Sequence, residues 1–528
     1  MLSGVDSLPR FLSWLRNAIP ASLLLGGALF SFEVHAFDFE DVVARAQALA
    51  ARDYEPPEQV PRFLRELDYD AYQNIRFDEQ RSLWRESGSR LQVMLFSPGL
   101  FYTHPVTINV VDAEGVHQLP YRRDWFRFAD PELEKRIPPD LGYAGFKLTA
   151  PLAAKGEQNQ FLVFAGASYF RGVGRDNAWG LSGRGIAIDT GLPSGEEFPS
   201  FTEFWLVRPA PGADTMRVYA LLDGKSLTGA YRFDIHPGET TTLQVEAVLF
   251  ARDAIELAGL APLTSMFFYG ENTPRPIGEW RGEVHDSDGL LIHDGASGEW
   301  LWRPLINPRR LEMDFFHTQD LRGFGLLQRD MRFENYQDLG ARYDQRPSAW
   351  VTPRGAWGPG RIVLVQLPTS SETNDNIVAF WAPGQPLPRG QPFRLAYQLD
   401  FGAPGLVRIP VGFAVNTFVG DGSITGGGNV EGAYRVIVDF RGGPLDRLRP
   451  TALVTGEVTS LEGGEVIEQF VEYNAPARAW RLSILARPAE ERSLALRAFL
   501  REGDSTLTET WTYRLPPDNN ILLPERRR

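Results

Sequence analysis

The sequence contains no cysteine, and this absence excludes several kinds of chemistry. Disulfide bonds, thiolate catalysis, and zinc or iron–sulfur sites built on cysteine are all ruled out. The absence does not identify the redox compartment, because a large secreted domain folds without disulfides. The length of 528 residues favours more than one domain.

The common nucleotide and hydrolase motifs are also missing. There is no GxxxxGK[ST] loop, no GxGxxG at a helix start and no HExxH, and the segment GLSGRG at 180–185 fails the GxSxG spacing. The seven histidines do not cluster as zinc ligands would. We therefore predict no metal and no cofactor, and carboxylates remain as the obvious catalytic groups.

Basic residues are also outnumbered by acidic ones. The formal net charge of −13 argues against nucleic acid or anionic lipid as the main partner, because phosphate binding requires a positive surface. Aromatic residues make up 12% of the chain, and they suit either sugar platforms or the cores of β-sandwiches. The core interpretation is the commoner one.

The N-terminus has the layout of a signal peptide covering residues 1–36. Arg10 and Arg16 precede an apolar stretch at 18–32, and Val34 and Ala36 occupy the −3 and −1 positions of a cleavage site near Ala36. The apolar stretch is shorter than the roughly 20 residues that a spanning helix needs, although an uncleaved membrane anchor is the alternative. Without twin arginines the general export route is favoured. The mature chain is not expected to span a membrane.

After one amphipathic helix at the start of the mature chain, the pattern is that of an all-β protein. Val42, Val43, Ala46 and Leu49 recur at helical spacing until Pro56, and a second short helix is predicted over 59–67. Beyond it, short runs rich in Val, Leu and Phe alternate with Gly, Pro, Asp or Asn, which predicts a large β-sandwich over residues 37–402.

A boundary is predicted at residues 403–412, where a stretch rich in Pro and Gly interrupts the rhythm of strands. The spacing of strand signals over 413–520 is typical of a small immunoglobulin-like sandwich. Residues 521–528, which end in ERRR, are predicted to be a disordered tail.

The segment 285–305 combines carboxylates with aromatic residues. Asp286 and Asp288 precede Trp300 and Trp302, which share one face of a strand because side chains alternate. A second segment, 342–358, places Tyr343, Arg346 and Trp350 around a proline-punctuated loop. The structural alternatives are an Asp-rich turn before a core strand and an Arg–Asp pair that holds a loop. The functional alternative is a sugar platform beside a carboxylate.

A third segment, TSSETNDNIVAFW at 369–381, sets Glu372 and Asp375 directly before an apolar strand. Turn formation is the commoner explanation for Asp375, since Asp and Asn are common in turns. Two acids beside a buried strand also suit general acid catalysis, because partial burial raises the pKa of a carboxyl group. Composition alone leaves both interpretations open.

Several long motifs together carry a family resemblance, and they run in order from Phe37 to Pro516. They are GASYFRGVGRDNAWGLSGRGIAIDT, LPSGEEFPSFTEFW, APLTSMFFYGEN, HDSDGL, GEWLWRPL, GFGLLQRD, RYDQRPSAWVTP, ETNDNIVAFW and ETWTYRLP. The chain resembles the glucans biosynthesis protein G/D family (OpgG, also called MdoG, and OpgD). The leader without twin arginines favours the G branch.

The resemblance implies a protein of the Gram-negative periplasm that serves the synthesis of osmoregulated periplasmic glucans, whose backbone is β-1,2-linked glucose. It also implies an N-terminal β-sandwich similar to galactose mutarotase, with a long cleft, and a C-terminal immunoglobulin-like sandwich.

The resemblance further implies site residues. Family members include inverting hydrolases in which the position of Asp375 is the general acid and that of Asp286 is the base, acting through water, with Glu372 tuning the acid. From chemistry and position we predict substrate-binding residues at Trp300, Trp302, Tyr343, Arg346 and Trp350.

Three functions remain open at this stage. The first is cleavage or transfer of linear β-1,2-glucan as an inverting endo-glucanase or transglycosylase. The second is a non-catalytic glucan-binding scaffold that assists a membrane-embedded glucan glucosyltransferase. The third is a sugar epimerase, which the mutarotase-like architecture alone suggests.

Overall fold

A computed structural model describes residues 36–153, 157–424 and 427–517, and nearly all of its regular structure is strand. The predicted leader up to residue 35 and the predicted tail 521–528 lie outside the described residues. Within the described ranges, no helix combines the length and the hydropathy needed to cross a membrane.

The helices are few and short. The α-helices are α1 (Phe39–Ala50), α2 (Arg62–Arg65), α3 (Tyr69–Gln73), α4 (Pro131–Arg136) and α5 (Phe333–Tyr336). Short 3₁₀ turns cover Glu79–Arg81, Arg123–Trp125, Tyr343–Gln345, Pro404–Leu406 and Gly443–Arg447.

The first large sheet has ten strands. In spatial order they are β2 (Gln92–Phe96), β6 (Gly145–Ala150), β7 (Asn159–Ala165), β8 (Tyr169–Gly172), β9 (Ser182–Arg184), β15 (Ala258–Ser265), β24 (Ile377–Pro383), β23 (Gly360–Gln366) and β20 (Glu312–Thr318), with β10 (Ile186–Ile188) also paired to β15.

The second large sheet has fifteen strands. In spatial order they are β28 (Thr455–Glu462), β31 (Leu494–Glu502), β33 (Thr510–Leu515), β19 (Trp300–Pro304), β18 (Gly289–Asp294), β21 (Leu321–Leu327), β22 (Ser348–Pro353), β25 (Pro392–Gly402), β14 (Thr241–Ala251), β13 (Leu227–His236), β12 (Met216–Asp223), β11 (Ser200–Val207), β3 (Thr107–Asp112) and β4 (Gly115–Gln118), with β32 (Ser505–Thr506) also paired to β31.

Three smaller sheets complete the fold. A four-stranded sheet has the order β26 (Phe413–Ser423), β27 (Asn429–Arg441), β30 (Ala479–Pro488) and β29 (Gly464–Asn474). Two-stranded sheets join β1 (Ile75–Phe77) to β5 (Phe126–Phe128), and β16 (Phe267–Tyr269) to β17 (Val284–His285).

The two large sheets pack face to face around the main hydrophobic core. Phe146 on β6 meets Phe204 on β11 with ring centroids 5.1 Å apart, and Phe164 on β7 meets Phe233 on β13 at the same distance. All four rings are buried in one core cluster. Apolar inner faces of two sheets form such a core, so the predicted all-β sandwich fold is confirmed.

Helix α1 forms where the helical spacing predicted it. The side chain of Asp38 accepts a hydrogen bond from the Glu40 amide and caps the first turn. The buried side chains of Val42, Val43 and Ala46 then cover the outer face of strands β11–β14. The second predicted helix is shorter than expected and covers only Arg62–Arg65.

The strands after residue 412 build a second sandwich. One layer is the four-stranded sheet, and the other consists of β28, β31 and β33 at the end of the fifteen-stranded sheet, with a shared core between them. Strand β33 pairs in parallel with β19, where Trp511 is opposite Trp302. The C-terminal sandwich therefore shares a sheet with the N-terminal region, and the division at 403–412 stays a prediction.

A buried ion pair fastens the C-terminal strands to the N-terminal region. Both guanidinium nitrogens of Arg329 contact the carboxylate of Glu509, at 2.7 and 2.9 Å, and Glu509 also accepts a hydrogen bond from the Ala414 amide. Arg329 lies over the ring of Trp302, 3.5 Å from its centroid. Both charged side chains are almost fully buried.

We expect Glu509→Ala to lower the free energy of unfolding by about 3–5 kcal/mol, because it leaves the buried charge of Arg329 without its partner. Chemical denaturation measures the loss. The matched control is Glu457→Ala, which removes an exposed ion pair with Arg501 and should cost less than about 1 kcal/mol. Equal losses in the two variants would contradict the proposed role of the buried pair.

Candidate active site

One short backbone segment, Met266–Phe267, supports both of the predicted catalytic carboxylates. The amide of Asp286 donates to the carbonyl of Met266 at 2.8 Å, directly after His285 has paired with Phe267 in the small sheet. On the other side, the buried side chain of Asn376 accepts from the Phe267 amide at 2.8 Å and donates to its carbonyl at 3.0 Å. Asp375 is the residue before Asn376, so the two loops share one anchor.

The loop that carries Glu372 and Asp375 is held at both ends. At its start, Thr369 exchanges two hydrogen bonds with the side chain of Asn307, at 2.9 and 2.8 Å. At its end, Asn376 donates to the carbonyl of Leu367 at 2.9 Å, immediately before strand β24 begins. The sequence pattern of polar turn followed by apolar strand therefore produces a rigid loop.

Asp286 is buried and faces Arg346. Its Oδ1 lies 3.4 Å from the Arg346 Nε, and within the described part of the chain neither atom has a hydrogen-bond partner. Burial raises the pKa of Asp286; the Arg346 charge lowers it, and the negative charge of Asp375 raises it further. Both atoms keep hydrogen-bonding capacity that a water or a sugar hydroxyl can use.

Asp375 faces a second guanidinium. Its Oδ2 accepts a hydrogen bond from Arg171 at 3.3 Å, and its side chain is one-third exposed. Arg171 is held on strand β8 by a 2.7 Å hydrogen bond to the Ser182 hydroxyl on β9. The predicted acid is thus at the surface of the site, whereas Asp286 is at its floor.

Glu372 is tied to the same site from the other side. It accepts hydrogen bonds from Arg281 at 2.6 Å and from the Tyr343 hydroxyl at 3.2 Å. The guanidinium of Arg346 lies over the ring of Tyr343, 5.1 Å from its centroid. Burial raises the pKa of Tyr343, and the charges of Glu372 and Asp286 raise it further. The tyrosine therefore stays a neutral hydrogen-bond donor.

Arg281 joins three acidic side chains into one network. Besides Glu372, it contacts Glu279 at 2.9 Å and Asp338 at 3.0 Å. The hydrogen bond to Arg281 lowers the pKa of Glu279 to about 2. Because Arg281 is itself buried, this network fixes the position of Glu372.

A buried polar network lies behind Asp286. His285 contacts the carboxylate of Glu283 and the side-chain amide oxygen of Gln328, both at 3.0 Å, and the side-chain amide of Gln328 donates to the Tyr343 carbonyl at 3.2 Å. Burial lowers the pKa of His285, but the hydrogen bond to Glu283 and the charge of Asp288 raise it to about 9. The network connects the floor of the site to the loop of Tyr343.

One group among the described residues is compact enough for a metal ion: Glu283, His285 and Asp288 offer ligand atoms within 4.8 Å of one another. These atoms already pair with each other, since His285 Nε2 lies 3.0 Å from Glu283 and 3.7 Å from Asp288. We interpret the group as a charged histidine held by two carboxylates. That the protein uses no metal and no cofactor stays a prediction.

Five of the eight predicted site residues come together: Asp286, Tyr343, Arg346, Glu372 and Asp375.

Three tryptophans do not join them. Trp300, Trp302 and Trp350 belong to the second core, between the fifteen-stranded sheet and the four-stranded sheet. Trp302 and Trp350 are buried, and Trp300 stacks on Trp350 with centroids 5.9 Å apart. Trp302 and Trp350 are covered by protein and Trp300 is partly buried against this core, so we do not propose the three rings as sugar platforms.

Two arginines of the site were not singled out from the sequence, namely Arg171 and Arg281. Each lies far along the chain from its partner, at 171 against 375 and at 281 against 372. Arg171 lies within the first quoted motif, in SYFRG, and Arg281 lies four residues before HDSDGL, in EWRGEVHDS. The sequence therefore offered only an arginine in or near a family motif, and that position does not predict which carboxylate the arginine contacts.

A family profile described as "Periplasmic glucan biosynthesis protein, MdoG" matches residues 37–515 of this chain. A protein of Ralstonia nicotianae named "Glucans biosynthesis protein G" is 44% identical over 487 residues. That match covers 91% of this chain and 96% of the relative. The similarity therefore extends through both sandwiches and includes all of the residues of the candidate site.

We expect Asn376→Ala to loosen the loop of Asp375 from the backbone segment that it shares with Asp286. The substitution removes three hydrogen bonds to the backbone of Phe267 and Leu367, which should lower the free energy of unfolding by about 3 kcal/mol. Hydrogen exchange at the Phe267 amide should accelerate. The control is Asn374→Ala, two residues earlier and exposed; similar exchange in both variants would contradict the anchor.

Stability should fall as the pH rises from about 6.5 to about 9. His285 has a folded-state pKa of about 9 against an ordinary 6.5, so its contribution is complete below 6.5 and is lost as the pH passes through 9. The full loss is about 3 kcal/mol. Burial also raises the pKa of Glu271 to about 8, which acts in the same direction.

Denaturation at a series of pH values measures this trend. His285→Gln should flatten the dependence on pH even if it also lowers the overall stability. A wild-type free energy of unfolding that stays constant or increases between pH 6.5 and 9 would show that His285 is not held as a charged group.

Proposed function

Because the chain belongs to the MdoG family of periplasmic glucan biosynthesis proteins, we propose that it binds linear β-1,2-glucan and cleaves or transfers it with inversion. Asp375 acts as the general acid, Asp286 acts as the base through water, and Glu372 positions the acid. Tyr343 and Arg346 bind the sugar. The protein works in the periplasm, and in this proposal residues 1–36 are its export signal.

The observation that carries the proposal is the convergence of two carboxylates on one anchor, each with its own arginine. Asp286 faces Arg346 at 3.4 Å, and Asp375 faces Arg171 at 3.3 Å. The charge of Asp375 acts on the pKa of Asp286, so the two groups are electrostatically coupled. A pair of separated carboxylates is what inversion at an anomeric carbon requires.

The chemistry needs one proton donor and one proton acceptor. Asp375 donates its proton to the oxygen that bridges two glucose units, and the bond between that oxygen and the anomeric carbon breaks. A water, or a hydroxyl group of a second glucan, attacks the anomeric carbon from the opposite face of the ring. Asp286 receives the proton of the attacking group through water.

The protein without a sugar has a charge distribution that also fits the reverse assignment. Burial raises the pKa of Asp286, which is a property of general acids, whereas Asp375 is partly exposed beside Arg171. A glucan lying over Asp375 would remove its water and place the bridging oxygen against it. We therefore assign the acid role to Asp375 in the glucan-bound state. Activity on a substrate with a good leaving group separates this assignment from the reverse one.

We expect Asp375→Asn and Asp286→Asn each to reduce the release of shorter chains from linear β-1,2-glucan at least about 100-fold. Chromatography of the products measures the reaction. The control is Asp320→Asn, a surface carboxylate paired with Arg322, which should keep wild-type activity. Wild-type product levels from Asp375→Asn would remove that residue from the mechanism.

The leaving group tells the two carboxylates apart. A nitrophenyl β-1,2-oligoglucoside releases its phenolate without needing a proton, so the variant that lacks the acid should keep its activity on this substrate. If Asp286→Asn rather than Asp375→Asn keeps that activity, the two roles are exchanged.

A second candidate function is a glucan-binding scaffold that presents the polymer to a membrane-embedded glucosyltransferase. The pairing of Asp375 with Arg171 favours it, since a carboxylate beside a guanidinium at the surface is typical of a binding group. Complementation of a deletion strain separates the two functions. Glucan production restored fully by Asp375→Asn would support the scaffold and contradict the enzyme.

A further inference from the structure

An open pocket of about 70 Å³ lies between the loop 101–106, strand β7 and the start of strand β11. A single water needs roughly 10–15 Å³ by the same measure, so the pocket is wide enough for part of a sugar ring. We name it the Phe101 pocket, after the exposed ring at its rim. None of the residues predicted to bind substrate lines it.

Strand β8 connects the pocket to Asp375. Tyr169 lines the pocket, and Arg171, two residues later on the same face of the strand, holds Asp375. Two strand residues span roughly 7 Å, which is close to one sugar unit. Tyr102 also lines the pocket; burial raises the pKa of its hydroxyl, and the charge of Arg171 lowers it. The charge of Arg171, which holds the proposed acid, therefore acts on both tyrosines of the pocket.

Phe101 is exposed on a rigid turn. Gly99 and Tyr102 exchange backbone hydrogen bonds of 3.0 and 2.9 Å, and the Leu100 amide donates to the Leu64 carbonyl at 2.8 Å. The ring of Phe101 is 79% exposed, although the turn that carries it is fixed. The turn therefore holds a large apolar side chain at the rim of the pocket, where a ligand can contact it.

A second exposed ring is fixed near the same pocket. The buried guanidinium of Arg184 lies between the rings of Tyr169 and Phe198, 5.0 and 5.1 Å from their centroids. Arg184 is held by Glu196 at 2.7 Å. Phe198 is about half exposed, and the chain continues from it directly into Ser200, which lines the pocket.

We propose that the Phe101 pocket is a sugar-binding subsite, which holds a glucosyl unit of the same glucan whose linkage lies at Asp375. The rings of Phe101, Tyr102 and Tyr169 supply apolar contact area. Polar partners for the sugar hydroxyls come from Thr103, His104, Ser200 and Thr202, all of which line the pocket. Apolar surface with a few polar groups is the usual composition of a ligand site. The inference rests on the proposed function, because it extends the glucan site.

Calorimetric titration with linear β-1,2-glucan oligosaccharides tests the subsite, with Asp375→Asn as the background so that the ligand is not cut. Adding Phe101→Ala should weaken the binding of long chains about tenfold, since an aromatic contact contributes on the order of 1 kcal/mol. Phe101→Ala should not alter the melting temperature, because the ring is exposed.

The matched control is Phe315→Ala. It removes an exposed ring on β20, the edge strand of the ten-stranded sheet that lies opposite the edge strand β2. Equal affinity of long chains for the Phe101→Ala and Phe315→Ala variants would overturn the subsite while leaving the proposed function intact. If the protein with Asp375→Asn alone binds no β-1,2-glucan of any length, both the proposed function and the subsite are contradicted.

Discussion

The hydrogen bonds around the backbone of Met266 and Phe267 are the constraint on which the site depends. Asp286 is fastened to this segment through its own amide, and Asp375 through the buried amide side chain of Asn376. The two carboxylates come from loops that are almost ninety positions apart in the chain, yet they share one rigid support. A reaction that needs two acids at a fixed separation requires such an arrangement.

Charge is distributed around this support in pairs. Each proposed catalytic carboxylate faces an arginine, and Glu372 is held by a third one, Arg281. Behind them, His285 carries a charge between Glu283 and Asp288, in a network that is buried apart from a small exposed part of Asp288. Burying so many charges is stable only because nearly all are paired. Asp286 and Arg346 are also paired by charge, but their facing atoms at the floor of the site have no hydrogen-bond partner among the described residues.

Periodicity and turn chemistry were sufficient to predict helix α1, the all-β class and the strand after Asp375. The family resemblance identified the two catalytic candidates, which no local pattern could have joined. The alternation of Trp300 and Trp302 was correctly interpreted as a strand, but a face directed into a core and a face directed into a cleft have the same period. Arg171 was missed because its pairing with Asp375 depends on how β8 and β24 lie in one sheet, which spacing does not encode.

The stereochemistry of the first product tests the central claim most directly. When linear β-1,2-glucan is incubated with the wild-type protein, proton NMR distinguishes the anomers of the new reducing end before they equilibrate. Inversion by two separated carboxylates predicts that the α-anomer appears first. A β-anomer appearing first would require a covalent intermediate on one carboxylate, and it would contradict the roles given to Asp286 and Asp375.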